Sequence, residues 1–426
     1  MTMQQTVASQ KSFTGYQKFV VFVLAITQFT VVLDFMVMSP LGDIMMKTMH
    51  LSPSMFGVAV SAYAFSAGAS GILTAGFADR FDRKKLLLFF YSGFIAGTIF
   101  CGLAHTYVAL VTARIITGLF GGVIGSISMA IITDLFSLQL RGRVMGFVQM
   151  GFGASQVLGI PISLYLANLW GWEAPFWMVA VLGMLVVSAI YAKLRPVADH
   201  LKERHQVNPL QHLWSTVKKR DYRIAFTSTA MLAVGGFMMM PFGSAFAINN
   251  LGVTQQDLPL LFMVSGVCSL IFMPLIGRFS DRFDKFSLFA IASVWMVTVA
   301  VFYTNMSVSP LWFVMVMNVL LMIGIMSRMV PSTALVSAVP DVPDRGAFMS
   351  INASLQQVAG GIAATIAGMI VVQKNTNSPL EHYNTVAYIV TLITFISIFL
   401  MYRVNRLVRK KMKASNPAEA LTLPEA

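Results

Sequence analysis

Apolar stretches near the roughly 20 residues needed to cross a hydrocarbon layer recur from one end of the chain to the other. By hydropathy they fall at about 17–40, 53–76, 86–104, 107–133, 144–166, 174–193, 224–248, 258–277, 286–305, 310–338, 348–372 and 384–403. No room is left for a large soluble domain. With 57% of the 426 residues hydrophobic and 11% charged, a water-soluble fold would also lack the polar side chains to cover its surface. The expected fold is an all-α membrane protein of twelve transmembrane helices in two six-helix bundles. Met1 to Gln17 is polar, without the apolar run and cleavage site of a secretory signal, so the first span is expected to be retained.

The formal net charge of +13 does not point to nucleic acid once Lys and Arg are assigned to alternate sides of the spans. One side carries 26 of the 30. The positive-inside rule places that side, and both termini, in the cytoplasm of a cell (inner) membrane. Lipid is the expected surrounding partner, and a single chain the expected unit.

The chain also repeats itself. Ala75-Gly-Phe-Ala-Asp79-Arg80-Phe81-Asp82-Arg83-Lys84 after span 2 is matched by Gly277-Arg-Phe-Ser-Asp281-Arg282-Phe283-Asp284-Lys285 after span 8, at an offset of 202 residues. Arg141-Gly142 and Arg345-Gly346 recur at nearly the same offset. This implies an arm at 1–16, a bundle at 17–193, a linker at 194–223, a second bundle at 224–403 and a basic tail at 404–426. Within the linker, Asn208-Pro209 can start a helix. Leu210, Leu213, Trp214 and Val217 would form its apolar stripe, and Lys218, Lys219 and Arg220 would be free to face lipid phosphates.

The repeated Asp-Arg turn, the linker and the twelve-span plan together resemble the major facilitator superfamily over nearly the whole chain. Asp79, Arg80, Arg83 and Lys84 match that family's Gly-x-x-x-Asp-Arg-x-Gly-Arg-Arg/Lys motif, while Ala75 and Asp82 stand where it has glycine. Arg114-Ile-Ile-Thr-Gly118 is similar to a signature of proton-coupled members, and Asp34-Phe35 to the acidic site of the drug:proton antiporter branch. Gly159-Ile-Pro161 departs from that branch's antiporter motif. Arg328 to Pro331 and Arg345 to Ser350 look like bacterial arabinose-efflux-like permeases. The resemblance implies transport by alternating access rather than enzymatic catalysis.

Asp34, Arg114 and Arg328 are the ionisable residues that fall well inside apolar spans, where an unpaired charge costs at least about 2.5 kcal/mol. Asp34 is the expected proton carrier, the alternative being a carboxylate locked for packing or one that binds substrate directly. Its counterpart in the second half, by the repeat, is Gly236. Arg114 would ease ionisation of Asp34 or hold backbone carbonyls, and Gly118, Gly121, Gly122 and Gly125 beyond it would let a neighbouring helix approach. Arg328 should face a central cavity, gripping a polar or anionic substrate or closing a gate. Gln149, Gln156, Asn352 and Gln356, with Phe237 and Met240, are the candidate cavity lining. Asp79, Arg80, Arg83, Lys84, Asp134, Arg141 and Arg143, with Asp281, Arg282 and Arg345 in the second half, form a candidate conformational latch.

No nucleotide loop, hydrolase elbow or closely spaced Cys/His set appears. No cofactor and no metal is expected, and Cys101 and Cys268 read as inert packing. The expected partners are protons and a small molecule, moved outward in exchange. An importer or an uncoupled facilitator would use the same frame, and a lipid flippase or a receptor has no mark of its own here.

Overall fold

The computed structural model describes residues 13–75, 80–198, 201, 209–375 and 378–415. Twelve helices in it are long and apolar enough to cross a membrane. The first half comprises α1 (Gly15–Val37), α3 (Pro53–Ala75), α4 (Arg83–Gly102), α5 (Tyr107–Leu135), the pair α6 (Leu138–Ala154) and α7 (Ile160–Trp170), and α8 (Ala174–Lys193), with a short α2 (Gly42–Thr48) between α1 and α3. After α9 (Pro209–Lys218) the second half runs through α10 (Arg220–Phe237), α11 (Gly243–Asn249), α12 (Leu258–Arg282), α13 (Lys285–Thr304), α14 (Leu311–Ser337), α15 (Arg345–Ile370) and α16 (Tyr383–Ser415). An even number of crossings returns the chain to the side it began on, called the terminal face below; the opposite side is the far face.

Local chemistry explains several helix ends. Thr14 and Gln17 form a reciprocal capping box at the start of α1. Asp82, which stands where the family motif has glycine, caps α4 by accepting from the amides of Lys84 and Lys85. Asp284, its repeat partner, caps α13 through Ser287. Each such cap stabilises its helix by about 1 kcal/mol. α7 stops at Gly171, whose φ of 95° a side chain would resist.

Crossing 5 is not one continuous α-helix. Pro161 has no amide to give to the carbonyl four residues back, and the chain answers with a π-helical turn at Ser155–Gly159. That turn brings Gly159 onto Leu33 of α1, where an added methyl carbon would lie 2.7 Å from the leucine side chain.

The two halves meet along α3 and α15, and along α12 with the π turn and α7. Small residues let the first pair close: a methyl on Gly57 would come within 2.7 Å of the Ala364 carbonyl oxygen. Polar ties across the halves cluster toward the far face. Ser244 Oγ donates to Ser39 O (2.7 Å), Ser39 Oγ donates to Met240 O, and Asn249 Nδ2 donates to Asp43 Oδ1 (2.5 Å). Ser61 Oγ reaches Gly361 O at 2.7 Å, and Asn168 Nδ2 donates to Gln255 O at 3.1 Å. α6 and α12 scarcely touch, and a groove of about 610 Å³ lies between α1 and α6, walled by Phe22, Phe29, Phe147 and Met150 with Lys18 and Arg143 at its terminal end. The molecule is therefore tied shut at the far face.

The linker helix starts at Pro209, and the lysine that follows it turns to the protein. Lys219 pairs with Asp344, and Lys218 lies over the Trp214 ring. α16 likewise continues as helix through its basic residues to Ser415, where Arg409 binds Asp284 and Lys411 binds Asp341.

Candidate functional site

Helix α1 carries Asp34 on the side facing its own bundle, and α5 delivers Arg114 to it. Arg114 NH1 lies 2.8 Å from Asp34 Oδ2, and both side chains are fully buried. The same nitrogen is 3.4 Å from the Asp34 carbonyl oxygen, so one guanidinium holds both the acid and the backbone of α1. Behind it the guanidinium carbon sits 4.6 Å from the centroid of Tyr63, a cation–π contact that partly replaces lost hydration. Arg114 Nε and NH2 are buried without hydrogen-bond partners.

The close approach of α5 to α3 makes this possible, and the glycine stripe is its cause. An added methyl on Gly122 would lie 2.6 Å from Ala67 Cα, and one on Gly121 would lie 2.7 Å from the Tyr63 hydroxyl. Thr98 on α4 supplies a second contact. Its hydroxyl is 3.1 Å from Asp34 Oδ1 and 3.1 Å from Phe94 O. One hydroxyl proton cannot serve both acceptors well. It can donate to an ionised Asp34, or turn to Phe94 O and accept a bond from the protonated acid. Cys101 lies beside this site, 3.7 Å from the Thr117 hydroxyl.

Phe35, the next residue, faces the other half. Its ring is 5.1 Å from Tyr63 and 5.9 Å from Phe237 of α10. An unbroken series of contacts thus runs from Arg114 through Tyr63 and Phe35 into the second bundle. Phe237 also fills the space over Gly360 within the second half, and the Met240 carbonyl takes the Ser39 bond across the halves at the far face.

The remaining candidates are dispersed. Gln149 and Gln356 are exposed on their helices, whereas Gln156, inside the π turn, reaches Met36 Sδ at 3.9 Å. Asn352 has a buried Oδ1 without a partner. Arg328 is buried in the second bundle, its guanidinium carbon 5.7 Å from the centroid of Phe289 on α13.

Of the latch residues, Asp79 and the Asp281 side chain lie outside the described residues. Arg83 Nε is 3.3 Å from Asp134 Oδ2, tying α4 to α5 within the first half. Lys84 Nζ binds Tyr191 O, Arg141 binds Thr133 O and Phe136 O, and Arg143 covers Phe13. Arg80, Arg282 and Arg345 are exposed. In the second half Asp341 and Asp344 are the hub. The Tyr222 hydroxyl lies between them, 3.0 Å from Asp341 Oδ2 and 2.7 Å from Asp344 Oδ2, with Lys411 and Lys219 alongside. Hydrogen bonds from Lys411 and Tyr222 hold Asp341 below the usual carboxylate range, and those from Lys219 and Tyr222 do the same for Asp344. Neither aspartate stood out in the sequence, because a charge at a helix junction is the commonest place for one.

The family profile described as Major Facilitator Superfamily matches residues 24–248 and 225–425. The chain belongs to the major facilitator superfamily. Among curated relatives, the Bacillus subtilis uncharacterized MFS-type transporter YceJ is 25% identical over 261 residues, 61% of this chain and 66% of that protein. Multidrug resistance protein 2 of Bacillus subtilis is 24% identical over 63% of this chain and 68% of its own length. A D-xylose-proton symporter superposes with a TM-score of 0.74 at 18% identity, covering 91% of this chain and 97% of that one. An inward-facing bacterial homologue of the lysosomal transporter Spinster gives 0.74 at 16% identity, over 94% and 99%. This facilitator-family protein is a multi-pass membrane transporter of the secondary type, and not an enzyme.

Proposed function

We propose that the protein exchanges protons for a small amphipathic or anionic molecule, exporting it from the cytoplasm by alternating access, with Asp34 as the proton carrier. The sealed pair of Asp34 with Arg114 supports this reading most strongly. A carboxylate is stable at this depth as long as the guanidinium faces it, and protonation would release Arg114 from it. Because Asp34 is continuous with Phe35, and Phe35 touches Phe237, loosening α1 from Arg114 bears directly on the contact between the bundles. That gives protonation a route to the rocking motion. The distribution of Lys and Arg puts the terminal face in the cytoplasm, so a molecule tied at its far face would be open inward, ready to load cargo. Export agrees with relatives described as multidrug resistance proteins and a probable sugar efflux transporter.

The test is proton movement in proteoliposomes under an imposed pH gradient, for the wild type and Asp34→Asn, with a panel of anions, sugars and amphipathic drugs. Substrate-driven proton flux in the wild type, lost in Asp34→Asn with binding retained, is the expected result. Unchanged coupling in Asp34→Asn would end the assignment.

A further inference from the structure

The spans hold more positive than negative charge. Asp34 is the single carboxylate deep within them, and Arg114 occupies it. Arg328 lies nine residues from the end of α14, about 13 Å above the terminal face. Its Nε and NH2 are buried with no hydrogen-bond partner, and among the described residues it has no ion pair. The acids of the second half sit at the helix ends, and three of them are engaged: Asp284 with Arg409, Asp341 with Lys411, and Asp344 with Lys219. Phe289 offers a ring face but no counter-charge. In the same layer, about 12 Å from the ends of α10 and α13, the hydroxyls of Ser228 and Ser293 are also buried without partners.

A guanidinium keeps its charge at neutral pH, and burying it unpaired in a membrane is costly. We infer that Arg328 anchors an anion subsite in the second bundle, and that the anion is the carboxylate of a monoanionic substrate. This deepens the export reading and rests on it. One guanidinium neutralises one negative charge, and its planar fork matches the two oxygens of a carboxylate. A phosphomonoester dianion would leave a charge uncompensated, since no lysine lies deep in the spans. Exchange of one inward proton for one outward carboxylate then moves two elementary charges inward, so transport is electrogenic and faster with the inside negative.

The deciding measurement is thermal unfolding of the purified full chain with acetate, benzoate or octanoate, against chloride and inorganic phosphate at equal ionic strength. The expected result is a rise in Tm with at least one carboxylate in the wild type and Asp34→Asn. That rise is lost in Arg328→Gln, and binding is weakened about tenfold in Arg328→Lys. The lysine variant serves if the glutamine variant fails to fold. Equal shifts in wild type and both Arg328 variants would overturn the subsite, as would no shift from any carboxylate, or a shift that chloride or phosphate reproduces in full. Loss of proton coupling on its own would leave carboxylate binding intact, so failure of the export reading and failure of the subsite are separately visible.

Discussion

Arg114 and Arg328 are the same residue in comparable burial, one in each bundle, yet their surroundings differ in kind. Arg114 has a carboxylate at 2.8 Å, a backbone carbonyl and a tyrosine ring. Arg328 has the ring of Phe289 and, among the described residues, no carboxylate; in both arginines Nε and NH2 are buried without hydrogen-bond partners. The duplicated frame therefore does not carry a duplicated function. The first bundle holds a charge pair, while the second holds half of one. Where Asp34 sits in the first half, the second has Gly236, with open space where its side chain would be.

The largest expected effect breaks the complete pair. Asp34→Ala leaves Arg114 buried and uncompensated, which costs about 3–5 kcal/mol. Thermal unfolding in nanodiscs should show it, and Asp34→Leu combined with Arg114→Met should recover most of the loss without restoring proton coupling. If Asp34→Ala alone is neutral, Asp34 is not what compensates the buried charge of Arg114. The same measurement on the other arginine should give the opposite sign. Arg328→Met removes an unpaired charge, so the ligand-free protein should gain stability, by about 1–4 kcal/mol. A loss of that size would mean that Arg328 already has a full partner.

How far this contrast could be read from the sequence depends on what carries it. Hydropathy located all twelve crossings because hydrocarbon demands long apolar runs, and the scarcity of charge within them singled out Asp34, Arg114 and Arg328. Pairing across 80 residues of sequence is a matter of helix packing. The Gly118 to Gly125 stripe hinted at it by marking where α5 comes close, but it did not name Tyr63 or Thr98. The π turn before Pro161, from which Gln156 reaches Met36, leaves no mark in hydropathy. The far-face ties were invisible because Ser39, Asp43, Ser244 and Asn249 sit in ordinary loop-end composition.

Those ties offer a smaller test. Asn249→Ala removes a bond to the buried carboxylate of Asp43, worth about 1.5–3 kcal/mol to the far-face-closed state. The population open at the far face should rise, read as faster labelling of a cysteine placed at Phe237 by an impermeant reagent. Unchanged labelling would show that the α3 and α15 contact alone holds the closure.

The smallest effect concerns the terminal-face clusters, where the halves again differ. The first half has Arg83 with Asp134, and the second gathers Asp341 and Asp344 around Tyr222 with Lys411 and Lys219. Both second-half carboxyls titrate below the ordinary value of 3.8. A lowered value in the folded state means the stabilisation is complete above 3.8 and is lost as pH falls through the lower folded value. Because Lys411 and Lys219 are well exposed, solvent screening keeps each contribution below about 1 kcal/mol. Acid unfolding followed from about pH 5 to 2 should therefore begin at slightly higher pH in Lys219→Met than in the wild type. It should also release the linker helix, detected as faster proteolysis within residues 209–218 at neutral pH. Equal proteolysis rates would mean that packing of Leu213 and Thr216, rather than the charge hub, binds the linker to the second bundle.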